Sequence, residues 1–220
     1  MLRERFLGLF GAATGLLAAL LMLTAGIVHN IEVAAASSSS TIAAALVESQ
    51  LSTLIGTYLL MLGVLFFLFF LGYLRSKTSA HGEGLAWLSR TAFGAGLVGA
   101  AMLLLSAHFG QALMILSSYG GETQVAKSLY LLDWNWYLLV EAIPLAVFIG
   151  ASSAYGLASE EWPRWITWSG FPISLLLVFP YVTGGGIMFS YIWIGALSIY
   201  LARNQRRTMA ASPPLQRAVD

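Results

Sequence analysis

A chain of 220 residues that is 58% hydrophobic and only 10% charged, with a mean hydropathy of +0.78, has too few charged side chains to cover a water-soluble domain. Lipid is its expected solvent. Eleven Lys and Arg against ten Asp and Glu leave a net charge of +1 without a basic tract, which sets nucleic acid aside as a partner, and the lack of cysteine excludes disulfides, thiolate metal sites and cysteine nucleophiles.

Apolar runs fall at about 6–28, 51–74, 91–117, 129–157, 165–182 and 187–202. Each is near the roughly 20 residues that a helix needs to cross a ~30 Å hydrocarbon core. The expected fold is all-α: an integral membrane helical bundle of about six transmembrane helices, one domain over 1–207, with a flexible tail over 208–220. The first run competes with a secretory signal peptide, since Arg3 and Arg5 precede it and Ala34–Ala36 resembles a cleavage site. Its apolar stretch, Phe6 to Val28, exceeds the ~7–15 residues of a signal h-region, so a retained span is expected. In the following loop, Ser37–Ser40 is a low-complexity break, and Thr41–Val47 is apolar enough to lie in the interface or to start the second helix early behind a Ser40 or Thr41 cap. Between the fifth and sixth runs, Thr183 and Gly184–Gly186 suit a tight helical hairpin.

Short loops rich in Lys and Arg stay on the cytoplasmic side. Arg3, Arg5, Arg75, Lys77, Arg90, Arg164, Arg203, Arg206 and Arg207 all fall on one side of a six-span chain, and Lys127 falls on the other. The expected topology is therefore N-in and C-in, in the cell (inner or cytoplasmic) membrane.

Helices in lipid associate through close backbone approach at small residues. Gly11 and Gly15 in the first span and Gly96 and Ala100 in the third are the expected packing residues, which makes those two helices the expected tight core. The bulky stretch Leu65–Leu71, with Phe66, Phe67, Phe69 and Phe70, reads as facing lipid or a partner. Trp134, Trp136 and Tyr137 mark the outer interface, and Trp162, Trp165 and Trp168 the inner one.

Ionisable groups inside spans carry the functional signal, because burial of charge in lipid is costly unless it is paired, hydrated or used. Glu141 lies inside the fourth run, one turn before a kinking Pro144, and Asp133, Tyr137 and Glu141 follow at helical spacing as one polar stripe. His108 and Gln111 in the third span fall at similar depth, and His29, Glu32 and Glu48 close the outer ends of the first and second spans. Two readings stay open for this outer cluster: polar groups that reach toward water, or an outward-facing site for a proton, a polar ligand or a metal ion held by His29, His108 and Glu141. A haem between His29 and His108 is a further option, although no cofactor is expected. There is no zinc-protease His-Glu-x-x-His, phosphate loop or nucleophile elbow, and both lysines near the spans fall in loops.

Pro163-Arg164-Trp165, followed by Trp168 and Gly170 after a short acidic loop, resembles a feature of small uncharacterised bacterial polytopic membrane proteins with about six apolar spans and an Arg-rich end. The resemblance covers the last two spans, implies the same membrane architecture and brings no activity with it. The leading functional expectation is a non-catalytic membrane subunit or accessory protein that forms a homo-oligomer or joins a larger membrane complex. A small transporter or channel using Glu141 and His108, and a membrane redox or metal-dependent enzyme, are the alternatives.

Overall fold

The computed structural model describes residues 2–28, 37–79, 83–118, 123–135, 140–179 and 186–211, and among these the secondary structure is all helical. The helices are α1 (Leu2–Val28), α2 (Ser39–Glu48), α3 (Gln50–Thr78), α4 (Glu83–Ser118), α5 (Thr123–Asn135), α6 (Ala142–Ser159), α7 (Arg164–Val178) and α8 (Gly186–Ala211). Five of them, α1, α3, α4, α6 and α8, are long and apolar enough to cross a membrane, whereas α7 has 15 residues.

Two expected boundaries change. Along the fourth apolar run, 129–157, α5 is described to Asn135 and α6 from Ala142, with Val140 π-helical, and residues 136–139 lie outside the described residues. The loop before the second span holds a helix of its own, α2, capped by Ser38, whose side chain accepts from the Thr41 N–H at 3.2 Å. Its N-cap therefore lies two or three residues earlier than expected, and α2 runs almost unbroken into α3, with Ser49 N donating to Ala45 O and Thr53 N to Ser49 O. The tail starts later, since α8 continues through Ala211; residues 212–220 and most of the Gly-rich hairpin lie outside the described residues.

Close contacts fix how the helices run. A Cβ on Gly11 would meet the Tyr73 ring, on Gly15 the Phe70 ring and on Gly63 the Met22 side chain, so α1 and α3 are antiparallel. The Thr78–Ser89 hydroxyl pair, 2.6 Å apart, and the seat of Gly96 on Leu71 do the same for α3 and α4. Gly99 lies against Leu145 and Pro144 of α6, and Ser174 Oγ of α7 donates to Ala146 O at 2.7 Å. Trp193 Nε1 of α8 donates to Ile166 O of α7 at 3.0 Å. The ring closes where Ser198 Oγ donates to Ala12 O and Gly8 lies against Gln205. The ring order is α1, α3, α4, α6, α7, α8 and back to α1, every neighbour antiparallel, with both described chain ends at the same end of the bundle.

Gly11, Gly15, Gly96 and Ala100 are buried as packing residues should be, but the first and third spans are not ring neighbours. Both instead flank α3. The Phe-rich stretch is correspondingly split and not a single outward surface: Phe67 and Phe70 are fully buried, while Phe69 is 55% exposed. The small faces of α1 and α4 are the grooves that receive the bulky residues of α3, which is ridge-into-groove packing with the ridge on the middle helix.

The centre of the ring is filled by aromatic rings. Phe67 of α3 meets Phe148 of α6 edge-on, with centroids 5.5 Å apart, and Phe148 meets Trp193 of α8 edge-on at 6.3 Å. All three are buried, and edge-to-face pairs of this kind contribute about 0.5–1.5 kcal/mol each beyond area burial. At the end away from the chain termini, α2 and α5 pack on each other and on α4 around a small second core of Ile42, Leu46, Leu113, Ala126 and Tyr130.

Gly15→Leu is expected to lower thermal stability in detergent by roughly 1–3 kcal/mol, because its Cβ alone would come within 2.5 Å of the Phe70 ring and of Ser198 Oγ. Gly72→Ala and Gly94→Ala, where a Cβ meets nothing within 4 Å, are expected to hold or raise stability by up to ~1 kcal/mol. Equal effects at Gly15 and Gly94 in a thermal melt would contradict the packing described.

Candidate functional site

Along α6, Glu141 lies on one side of Phe148 and Ser152, Ser153 and Tyr155 on the other. Glu141 is 1% exposed, the one carboxylate among the described residues buried to this degree. It stands at the N-cap of α6 with helical backbone angles (φ −79°, ψ −36°), directly after a π-helical Val140, and its carbonyl accepts from Leu145 N at 3.5 Å. Pro144 falls in the first turn of α6.

The rest of the expected outer cluster does not assemble around Glu141. The packed face of α4 carries Gly96, Gly99, Ala100, Leu103, Ala107 and Gly110 at spacings of three and four. His108 is one position off that face, about 100° around the helix, and is exposed. The seat of Gly99 against Leu145 puts Glu141 level with about Leu103, so His108 also lies ~7 Å further toward the end that holds α2 and α5. Gln111 is half-buried, and Glu48 is exposed at the end of α2. Of the stripe of Asp133, Tyr137 and Glu141, Asp133 belongs to α5 and Glu141 directly precedes α6, and residues 136–139 between them lie outside the described residues. Tyr137, His29 and Glu32, and with His29 one of the expected metal candidates, lie outside the described residues, as does the side chain of Asp133. Among the described residues no group of three or more His, Asp or Glu is placed to hold a metal ion.

At the other end, a cavity of about 10 Å³ lies between α3, α4 and α6, close to the minimum that holds one water. Arg75, Thr78, Ser89, Ser152 and Tyr155 contribute its polar groups, and Trp162 closes it from the α6–α7 loop. That loop is shaped by Glu160, whose φ of 54° reverses the chain after α6, and is tied to α8 by Tyr200 Oη donating to Glu161 O at 2.7 Å. Trp162 is thereby drawn in beside Gly156 and Tyr155 and is 7% exposed, so it does not belong to the interfacial set with Trp165 and Trp168, which are 61% and 59% exposed. The Arg75 guanidinium rests on the Phe93 ring, 4.5 Å from its centroid. Ser152 Oγ is buried and has no hydrogen-bond partner among the described residues.

Sequence reasoning missed this second site. Its residues are hydroxyls scattered over three helices, and single Ser or Thr residues in membrane helices are ordinary packing residues. The available signal was the adjacent Ser152 and Ser153 in an otherwise apolar helix, but only the antiparallel register brings Ser89 and Thr78 to their level.

No family model matches the chain, and no curated protein or solved structure matches it.

Ser152→Ala is expected to leave thermal stability unchanged or raise it, since a buried hydroxyl without a partner carries a penalty of roughly 1–3 kcal/mol. A clear fall in the melting temperature in detergent would show that the hydroxyl is bonded.

Proposed function

We propose that this chain is a non-catalytic polytopic subunit of the cell membrane, with six spans and both described ends in the cytoplasm, that assembles with itself or with a larger membrane complex. The observation that carries this reading is the filled centre: Phe67, Phe148 and Trp193 cross the ring from α3 to α8, which leaves apolar packing where a conducting path or an enclosed active site needs hydrated space. The position of α7 supports counting it as the sixth span, since it runs antiparallel between α6 and α8, both of spanning length. Arg75, Lys77, Arg90, Arg164, Arg203, Arg206 and Arg207 all belong to the end that holds Leu2, and Lys127 to the opposite end, which favours a cytoplasmic location for the former. Crosslinking in native membranes is expected to join the chain covalently to a second copy or to another membrane protein. A chain that stays uncrosslinked there and purifies as a stable monomer contradicts the proposal.

A second reading, a small transporter using Glu141, is favoured by one observation: a fully buried carboxylate next to a π-helical residue inside an apolar run. Local π-helical turns recur at functional sites. On this reading Glu141→Gln abolishes a proton- or ion-linked flux in proteoliposomes, and an unchanged flux removes it.

A further inference from the structure

Three features at the end of the bundle that holds the described chain termini fall in one layer. Ser89 of α4 bonds to Thr78 of α3, Gly11 of α1 lies against Tyr73 of α3 one turn away, and Gly8 of α1 lies against Gln205 of α8. Trp87, two residues before Ser89 and 61% exposed, is therefore at the level of the Gln205 turn. Trp165, 61% exposed, lies near the same end on α7, one residue before Ile166. The exposed Trp87 indole marks a headgroup boundary at its level.

Helix length gives the same depth independently. Starting at Gly186, a helix rising 1.5 Å per residue covers a ~30 Å core in about 20 residues, which ends near Gln205. Arg203, Arg206 and Arg207 bracket that point. They are exposed, and their i, i+3, i+4 spacing puts all three guanidinium groups on one side of α8 within about one turn. The N-terminal turn of α1, which carries Arg3 and Arg5 in the sequence, runs alongside. The acids described at this end are Glu4 in the first turn of α1, Glu83 at the start of α4, and Glu160 and Glu161, the last two exposed in the α6–α7 loop.

We infer that the Arg203–Arg206–Arg207 face of α8 is a binding site for the phosphate of an anionic phospholipid headgroup, best matched by a headgroup that carries two phosphates. Guanidinium forks bind phosphate oxygens bidentately, and three of them at phosphate depth supply more donors than one zwitterionic headgroup can use. The inference rests on the bundle lying in a membrane but not on the accessory role proposed above, so either can fail alone.

The test is native mass spectrometry of the full chain in detergent, titrated separately with diphosphatidylglycerol, phosphatidylcholine and inorganic phosphate. The wild type is expected to retain the anionic lipid over phosphatidylcholine, with a preference that falls as salt is raised, and to ignore inorganic phosphate. Replacing all three residues (Arg203→Gln, Arg206→Gln, Arg207→Gln) is expected to weaken retention of the anionic lipid on the order of a hundredfold. Lys127→Gln at the opposite end should leave it unchanged. No lipid preference in the wild type, a preference insensitive to salt, or equal retention by the triple variant overturns the inference. So does binding of inorganic phosphate as tight as that of the lipid, which would mark a simple anion site. If the glutamine variant fails to fold, substitution of the same three positions by Lys, which keeps the charge, serves with the wild-type salt series: the preference must persist in it and fall with salt.

Discussion

The edge-on contact of Phe148 with Phe67 on one side and Trp193 on the other is the interaction on which the rest of the bundle depends. In lipid, apolar side chains gain nothing by leaving the solvent, so a ring of helices holds only where side chains fit one another or polar groups bond across helices. Phe148 supplies the fit across the middle of the ring, and Trp193 supplies both kinds of contact, since its indole N–H reaches Ile166 O on α7. The three helices that close the sequence, α6, α7 and α8, are tied to α3 and to one another by these rings. Closure at α1 follows from small residues: Ser198 reaches the Ala12 carbonyl only because Gly15 and Ala19 leave α8 room to approach.

Much of this was legible in the residues. Hydropathy and length gave an all-α membrane bundle and four of the apolar runs to within a turn or so at most of their ends. Gly11, Gly15, Gly96 and Ala100 were recognisable as packing positions because nothing else accounts for small residues at helical spacing in lipid. Their partners were not legible. Gly96 is buried because Leu71 fills its groove, and the α3–α4 register is set by contacts 25 residues apart in sequence, as between Leu71 and Gly96. Leu65–Leu71 was misread for the same reason: alternation between buried Phe67 and Phe70 and exposed Phe69 is a property of one helix lying between two grooves.

The junction between α5 and α6 is harder to read for a different reason. Trp134, Trp136 and Tyr137 look like the interfacial end of a span, yet the apolar run continues past them into α6. The meaning of Glu141 changed most. Counting residues put His108 at the depth of Glu141, but His108 turns away from the packed face of α4, while Glu141 is buried at the start of α6. The hydroxyl-lined cavity and the Glu141 carboxylate thus stand on opposite sides of the aromatic layer, separated along α6 by Phe148 and its neighbours.

A filled centre makes a direct demand on water access, and the lack of native cysteine makes it simple to measure. Single substitutions Ile149→Cys and Ile194→Cys place thiols at fully buried positions on α6 and α8 beside Phe148 and Trp193, while Lys77→Cys and Glu48→Cys place exposed thiols at the two ends. A membrane-impermeant thiol reagent applied to sealed vesicles of each orientation is expected to modify Lys77→Cys from one side only, Glu48→Cys from the other only, and Ile149→Cys and Ile194→Cys from neither. Rapid modification of either core position from one side would show a water path through the ring and would contradict a centre closed by Phe67, Phe148 and Trp193.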